Sequence, residues 1–348
     1  MSGRVSSSLE LVDKSEPVNS ARAPSREIWL VGLALVVVAL VYRHSWIHVS
    51  WEGPLDRIQD VVGLQVNGVG RWFSAWATGD GQAFAIMAAD PLGLDEGWHL
   101  TQPGFRYLRV GFSWLVWIAS LGQERWIPYA MAMVGALAIA GTFLLAARLR
   151  PALGLRAWLL VFNPAVLIGF AGDTAETVGI LFLAWAIAGG SRWASAALGL
   201  IRPSYLVALL GRHMLVFWGA GAALTMGTLW ALRFGFDPAE FGGSLGLPLA
   251  GYLDAPSVQA IGLLALALGT LVLGLRHRDW AWVASAVMVM CFTASVLGGA
   301  HNGWRAAGML FVLWAFGPGF SPRRREQPGS ETVMIDLTGE SPSVRINA

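Results

Sequence analysis

The run Ile28-Trp29-Leu30-Val31-Gly32-Leu33-Ala34-Leu35-Val36-Val37-Val38-Ala39-Leu40-Val41-Tyr42 lies between Arg26 and Arg43 and carries no charge. As a helix it is apolar on every face, which suits a bilayer and not water. Further apolar segments follow at about 126–147, 157–171, 177–190, 214–232, 256–275, 280–298 and 303–317. The whole chain of 348 residues is 55% hydrophobic and 13% charged, so a soluble fold would expose too much apolar surface. A β-barrel would need alternating segments of about ten residues, and the sequence lacks them. The fold class expected is therefore an all-α polytopic membrane protein.

Two further segments are less decided. Residues 108–122 begin beside Arg106 and Arg109, and residues 194–211 are interrupted by Arg202-Pro203, which breaks a helix and sets a charge at depth. The positive-inside rule arbitrates. If both segments dip in and return, the arginine clusters at 148–156, 192, 212, 276–278 and 323–325 all fall on the cytoplasmic side with the N-terminal tail. This gives eight crossings, with ten as the alternative, and both place the two termini in the cytoplasm of a plasma membrane. Residues 1–26 and 319–348 read as disordered cytoplasmic tails, around a transmembrane domain over 27–318. Val333-Met334-Ile335-Asp336-Leu337 is a short β-prone island in the second tail. The polar start shows no cleavable signal sequence. Lys14 is the only lysine among 24 basic residues, a composition that points to a high-GC bacterial genome. Cys291, the single cysteine, has no partner for an internal disulfide.

Residues 43–105 form the long first extracytoplasmic loop. Two amphipathic surface helices are expected in it: one begins at Pro54, with Leu55, Ile58, Val61 and Val62 on one face, and the other spans Arg71 to Ala89. The loop also holds Gly79-Asp80-Gly81-Gln82. Transfer of a sugar from a lipid phosphate needs a carboxylate base, cations for the phosphate and an apolar groove for the lipid tail. Asp80 is the candidate base, between glycines that let a substrate approach closely; the same triplet is also an ordinary turn sequence. Arg106 and Arg109, three apart around Tyr107, share a helix face and can take a phosphate, or a lipid headgroup. Asp173 and Glu176 stand at the outer end of a span, where carboxylates also serve as capping and dipole partners. Arg202 at the helix break is a further candidate. His301-Asn302-Gly303-Trp304-Arg305 lies in an outer loop that either lines the site or forms a plain turn. His44, His48 and Glu52 have the spacing of metal ligands on a helix, but histidines beside Trp46 and Trp51 are more often interfacial belt residues; no cofactor is assigned.

Gly79-Asp80-Gly81-Gln82, Asp90-Pro91 and Phe105-Arg106-Tyr107-Leu108-Arg109 resemble a pattern of bacterial multi-pass membrane proteins: Tyr-Asp-Gly-Gln-aromatic, Asp-Pro, then Tyr-Arg-Tyr-Gln-Arg. Leu232-Arg233-Phe234-Gly235, Leu245 to Gly251 and Asp173…Glu176 are similar to the same group, so the resemblance covers about residues 70–252. That group is in turn similar to the GT-C superfamily of glycosyltransferases, including PIG-V-type mannosyltransferases. The resemblance implies a GT-C-like bundle of about 8–10 transmembrane helices and transfer from a polyprenyl-phosphate sugar donor. Asp80 would be the catalytic acid/base, and Gln82, Arg106, Tyr107, Arg109, Asp173, Glu176 and Arg202 would bind substrate. The partners would be that donor and membrane lipids, with no nucleic acid. Gly79, Ala83 and Ala85 stand where the pattern has aromatics, which favours a non-catalytic relative. A transporter or flippase for a lipid-linked substrate is the other alternative, with Asp173, Glu176 and Arg202 as pathway residues.

Overall fold

Where the apolar runs become helices is set by short polar signals at their ends. The computed structural model describes residues 25–47, 70–73, 80–94, 100, 103–235, 246–297 and 302–320. The helices are α1 (Ser25–Ile47), α2 (Gly70–Phe73), α3 (Asp80–Ala89), α4 (Pro103–Tyr107), α5 (Val110–Ala119), α6 (Ile127–Leu153), α7 (Pro164–Ala171) and α8 (Glu176–Gly189). They continue as α9 (Arg192–Ile201), α10 (His213–Phe234), α11 (Ala250–Asp254), α12 (Val258–His277), α13 (Trp280–Met290), α14 (Ala294–Leu297), α15 (Asn302–Ala306) and α16 (Gly308–Phe316). Ser191, Ser257 and Asp279 cap α9, α12 and α13 by accepting a backbone N–H from two or three residues ahead. Gly190, at φ 62, ends α8 in the left-handed conformation that costs glycine nothing.

Four helical stretches among the described residues, Arg26–Ser45, Glu124–Leu160, His213–Phe234 and Val258–His277, are long and apolar enough to cross a membrane. Their outer faces stay apolar: Leu30, Leu33 and Val41 on α1, Leu224 and Leu232 on α10, and Ile261 and Val272 on α12 are exposed. At 27 residues, α6 rises about 40 Å at 1.5 Å per residue, so it links the two ends of the bundle. One end carries Glu27, which accepts from Arg150 and Trp158. The other carries Arg43, Asp173 and Glu176.

Several apolar runs read as single spans are broken. The 157–171 run divides into the 3-10 turn Gly154–Leu160 and α7, because Pro164 starts a new helix and Asn163 caps it through Ala165 N. The 280–298 run stops at Met290, where the carbonyls of Met290 and Cys291 accept from Leu249 and Gly246. The 303–317 run bends at Ala307 between α15 and α16. The break expected at Arg202-Pro203 is present, with a 3-10 turn over Pro203–Leu209. The 108–122 segment contributes only α5, of 10 residues.

The segment expected to lie on the bilayer surface over Arg71 to Ala89 behaves differently where it is described. α3 buries Phe84, Ala85, Met87 and Ala88 against Val110, Phe112 and Met131 of α5 and α6. Its alanines and glycine let neighbouring helices close in on several faces, so it is an interior helix. The Pro54 helix, residues 1–24 and residues 321–348 lie outside the described residues. At the α9–α10 crossing, a Cβ on Gly199 would sit 2.1 Å from the Gly219 carbonyl oxygen, so this contact requires glycine.

Candidate functional site

Six charged side chains from five parts of the chain meet around one cavity, five of them lining it and Glu176 buried behind them. Asp80 is the first residue of α3. Arg106 lies on α4 and Arg109 follows it, before α5. Glu176 opens α8, Arg202 sits at the break after α9, and Arg305 comes from α15. Asp80 Oδ1 accepts a hydrogen bond from Arg106 Nη1. Asp80 Oδ2 accepts from Arg305 Nη2 at 2.6 Å, and Arg109 Nη1 stands 3.9 Å away. Glu176 Oε1 lies 3.2 Å from Arg202 Nη2 and 3.3 Å from Arg305 Nε. Arg305 therefore bridges both carboxylates.

Local folding places each of these groups. Tyr107 packs against Trp230 and Phe234, which also stack on each other, and donates to the Asp90 carbonyl at 2.7 Å, which fixes α4 and so Arg106 and Arg109. Tyr205 donates to the Arg305 carbonyl at 2.7 Å. Asn163 donates to the Gly308 carbonyl at 2.8 Å, and a Cβ on Gly308 would lie 2.3 Å from Ala165, so α15 and α16 are drawn onto α7. Pro203 stops α9, leaving Arg202 at its end.

The cavity holds about 270 Å³. Asp80, the four arginines, Ser204 and Asn302 line its polar side, and Leu108, Met288, Phe292 and Val296 its apolar side. Arg106, Arg109, Arg202 and Arg305 against Asp80 and Glu176 leave two positive charges uncompensated. The Nε–H groups of Arg106 and Arg202 are buried without a hydrogen-bond partner, and that of Arg305 faces Glu176 Oε1 at 3.3 Å. Burial alone would push the Asp80 carboxyl up, but Arg305, Arg109 and Arg106 outweigh it and hold it well below the usual carboxylate range. Excess positive charge, unfilled donors and an apolar wall together suit an anion with a hydrocarbon attachment.

Of the side chains singled out in the sequence, Asp80, Arg106, Arg109, Glu176 and Arg202 are brought together here. Asp173 is not: its two oxygens accept from Arg43 Nη1 at 2.8 Å and Nη2 at 2.9 Å. Arg43 also donates to the carbonyls of Phe170 and Trp72, at 2.7 and 2.8 Å, and its guanidinium lies over the Phe170 ring. Tyr107 is buried behind the arginines it positions, and Gln82 is not among the lining residues. Arg305, within the stretch His301–Arg305 expected as an outer loop, is the hub. Its only sequence signal is a cation placed directly before an apolar run. His44 packs beside the Trp72 ring, whereas His48 and Glu52 lie outside the described residues. No group of three or more metal-ligating side chains gathers among the described residues.

A larger cavity, of about 540 Å³, opens at the other end of the bundle beside Arg212 and Asp279. Its polar groups hold the fold: Arg212 donates to the carbonyls of Ile187 and Phe320, and Asp279 accepts from Ala281 N and Gly319 N. The surplus positive charge therefore lies at the smaller cavity. No protein-family model, curated protein or solved structure matches this chain.

Proposed function

We propose that the chain is a membrane glycosyltransferase of GT-C type that transfers a sugar from a polyprenyl-phosphate donor to an extracytoplasmic acceptor. The observation that carries this reading is the convergence of Arg106, Arg109, Arg202 and Arg305 on one cavity with an apolar wall. The arginines would hold the phosphate, and Leu108, Met288, Phe292 and Val296 would face the start of the lipid chain. In an inverting transfer the acceptor oxygen forms the new bond to the sugar carbon as the bond from that carbon to the phosphate oxygen breaks. The bonding electrons leave with the phosphate, and Asp80 takes the acceptor hydroxyl proton. The leaving phosphate gains negative charge as the bond breaks, and a site with excess positive charge stabilises that change more than it stabilises the bound donor.

The same reading sets the Asp80 end of the bundle outside the cell, with eight crossings and both termini in the cytoplasm. Purified protein in nanodiscs, given polyprenyl-phosphate sugars and simple acceptors, should release polyprenyl phosphate and form a glycoside; absence of transfer with every donor would overturn the assignment. On intact cells, a membrane-impermeant thiol reagent should label a cysteine placed at Thr78 and not one at Ser2 or Ser341; the reverse pattern would invert the topology. One observation favours a second reading, a protein that binds or moves lipid phosphate without chemistry: both Asp80 oxygens are already engaged by arginine.

A further inference from the structure

We infer that the Asp80 carboxylate occupies the phosphate seat in the resting protein, and that an incoming phosphate displaces it and frees it to accept a proton. The inference rests on reading this cavity as a lipid-phosphate site and adds an order of events to it. Three guanidinium groups converge on Asp80: Arg106 on one oxygen, Arg305 at 2.6 Å on the other, and Arg109 at 3.9 Å. A carboxylate has two oxygens to offer, whereas the phosphodiester of a sugar donor has four, two of them non-bridging and sharing its charge, and the phosphate monoester that leaves has three terminal oxygens and more charge. The buried Nε–H group of Arg106 shows that the resting anion leaves a donor unfilled. An anion with more acceptors therefore competes well for these arginines.

A proton acceptor needs a lone pair directed at the acceptor hydroxyl. Neither Asp80 oxygen is unengaged in this arrangement, and the arginine charges hold its carboxyl too acidic to act as a base. Drawing Arg106 and Arg305 onto a phosphate removes both obstacles together. Arg305 is kept from drifting by Glu176 at 3.3 Å, so it can change anions without leaving the cavity. Donor must then bind before Asp80 can act on an acceptor, which protects the site from idle chemistry.

A carboxylate that competes with the ligand differs in sign from one that merely contacts it. Neutralising Asp80 should therefore tighten phosphate binding. Full-length protein in phosphatidylcholine nanodiscs would be titrated with farnesyl phosphate and, separately, with inorganic phosphate. Asp80→Asn should bind both at least about tenfold more tightly than wild type, the scale of one charge-assisted hydrogen bond. Asp254→Asn, which removes an exposed acid, should leave both affinities unchanged; an equal gain there would reduce the effect to bulk charge and overturn the inference. Unchanged or weaker binding in Asp80→Asn, with wild type binding measurably, would overturn it and leave the phosphate site standing. Binding in neither protein would overturn the phosphate site and the inference together. Phosphatidylglycerol competing as well as farnesyl phosphate would support the displaced carboxylate and overturn a lipid-linked donor as the natural occupant. If Asp80→Asn is lost on extraction, phosphate in the buffer should restore its yield, and an equally low yield with phosphate would count against the inference.

Discussion

Asp173 and Asp80 are both aspartates held by arginine near the same end of the bundle, yet the two surroundings differ in what they leave unfinished. Asp173 faces Arg43 oxygen for nitrogen, and two further Arg43 donors end on backbone carbonyls. Charge is balanced and the pair excludes water, with 3% and 0% of the two side chains exposed. Asp80 is 21% exposed, meets three arginines, and belongs to a group with surplus charge and unfilled donors. A closed pair of this kind fixes α1 to the α7–α8 corner. An open group of this kind suits the binding of a further anion, as proposed above.

The comparison is sharpest in catalysis. Asp80→Asn should fold and bind donor while transfer falls by about 10²–10⁴-fold, the contribution of a general base. A single-turnover assay with excess donor checks this, and a full wild-type rate in the variant would break the distinction. In stability the roles exchange. Asp173 sits at φ 51, a conformation that asparagine tolerates, so Asp173→Asn isolates the charge. It should cost about 3–5 kcal/mol by leaving Arg43 buried and unpaired. Thermal unfolding in detergent should show a large fall in midpoint, and adding Arg43→Met should recover part of it. Arg106→Gln or Arg305→Gln should weaken farnesyl phosphate binding by about tenfold or more, at about 1.5–3 kcal/mol for a charge-assisted hydrogen bond. The smallest effect is with pH. A carboxyl with a depressed pKa stays ionised until the pH falls through that low value. The kcat/KM for donor, which reports the free protein, should therefore show no acid limb from Asp80 between about pH 7 and pH 5; a limb near the ordinary carboxylate pKa would show that the arginines do not hold Asp80 as described.

The long helices were legible because length and unbroken apolarity specify them: α1, α6, α10 and α12 lie close to the runs read as spans. The breaks were harder. Asn163-Pro164 is a local signal that an apolar average hides, and the stop at Met290 depends on partners about forty residues earlier in the chain, at Gly246 and Leu249. The burial of α3 was illegible for a different reason, since a run of alanine, phenylalanine and methionine suits a bilayer surface and a helix interior alike. For the site, Asp80, Arg106, Arg109, Glu176 and Arg202 stood out as charges beside apolar segments or glycine. Their grouping depends on long-range packing, and so does the pairing of Asp173 with Arg43, 130 positions apart. Arg43 had been visible only as the boundary of the first span.

Arg305 reaches Asp80 across 225 positions of chain. At synthesis rates of about 5–20 residues per second, Asp80 leaves the ribosome roughly ten to fifty seconds before its last partner does. Arg106 and Arg109 are made early and can meet it at once, whereas the bridge to Glu176 must wait for α15. The cavity is thus completed by one of the last helices to be made. A polypeptide truncated before that helix would carry the acidic residue and part of its cationic shell, but not the residue that ties the two halves of the shell together.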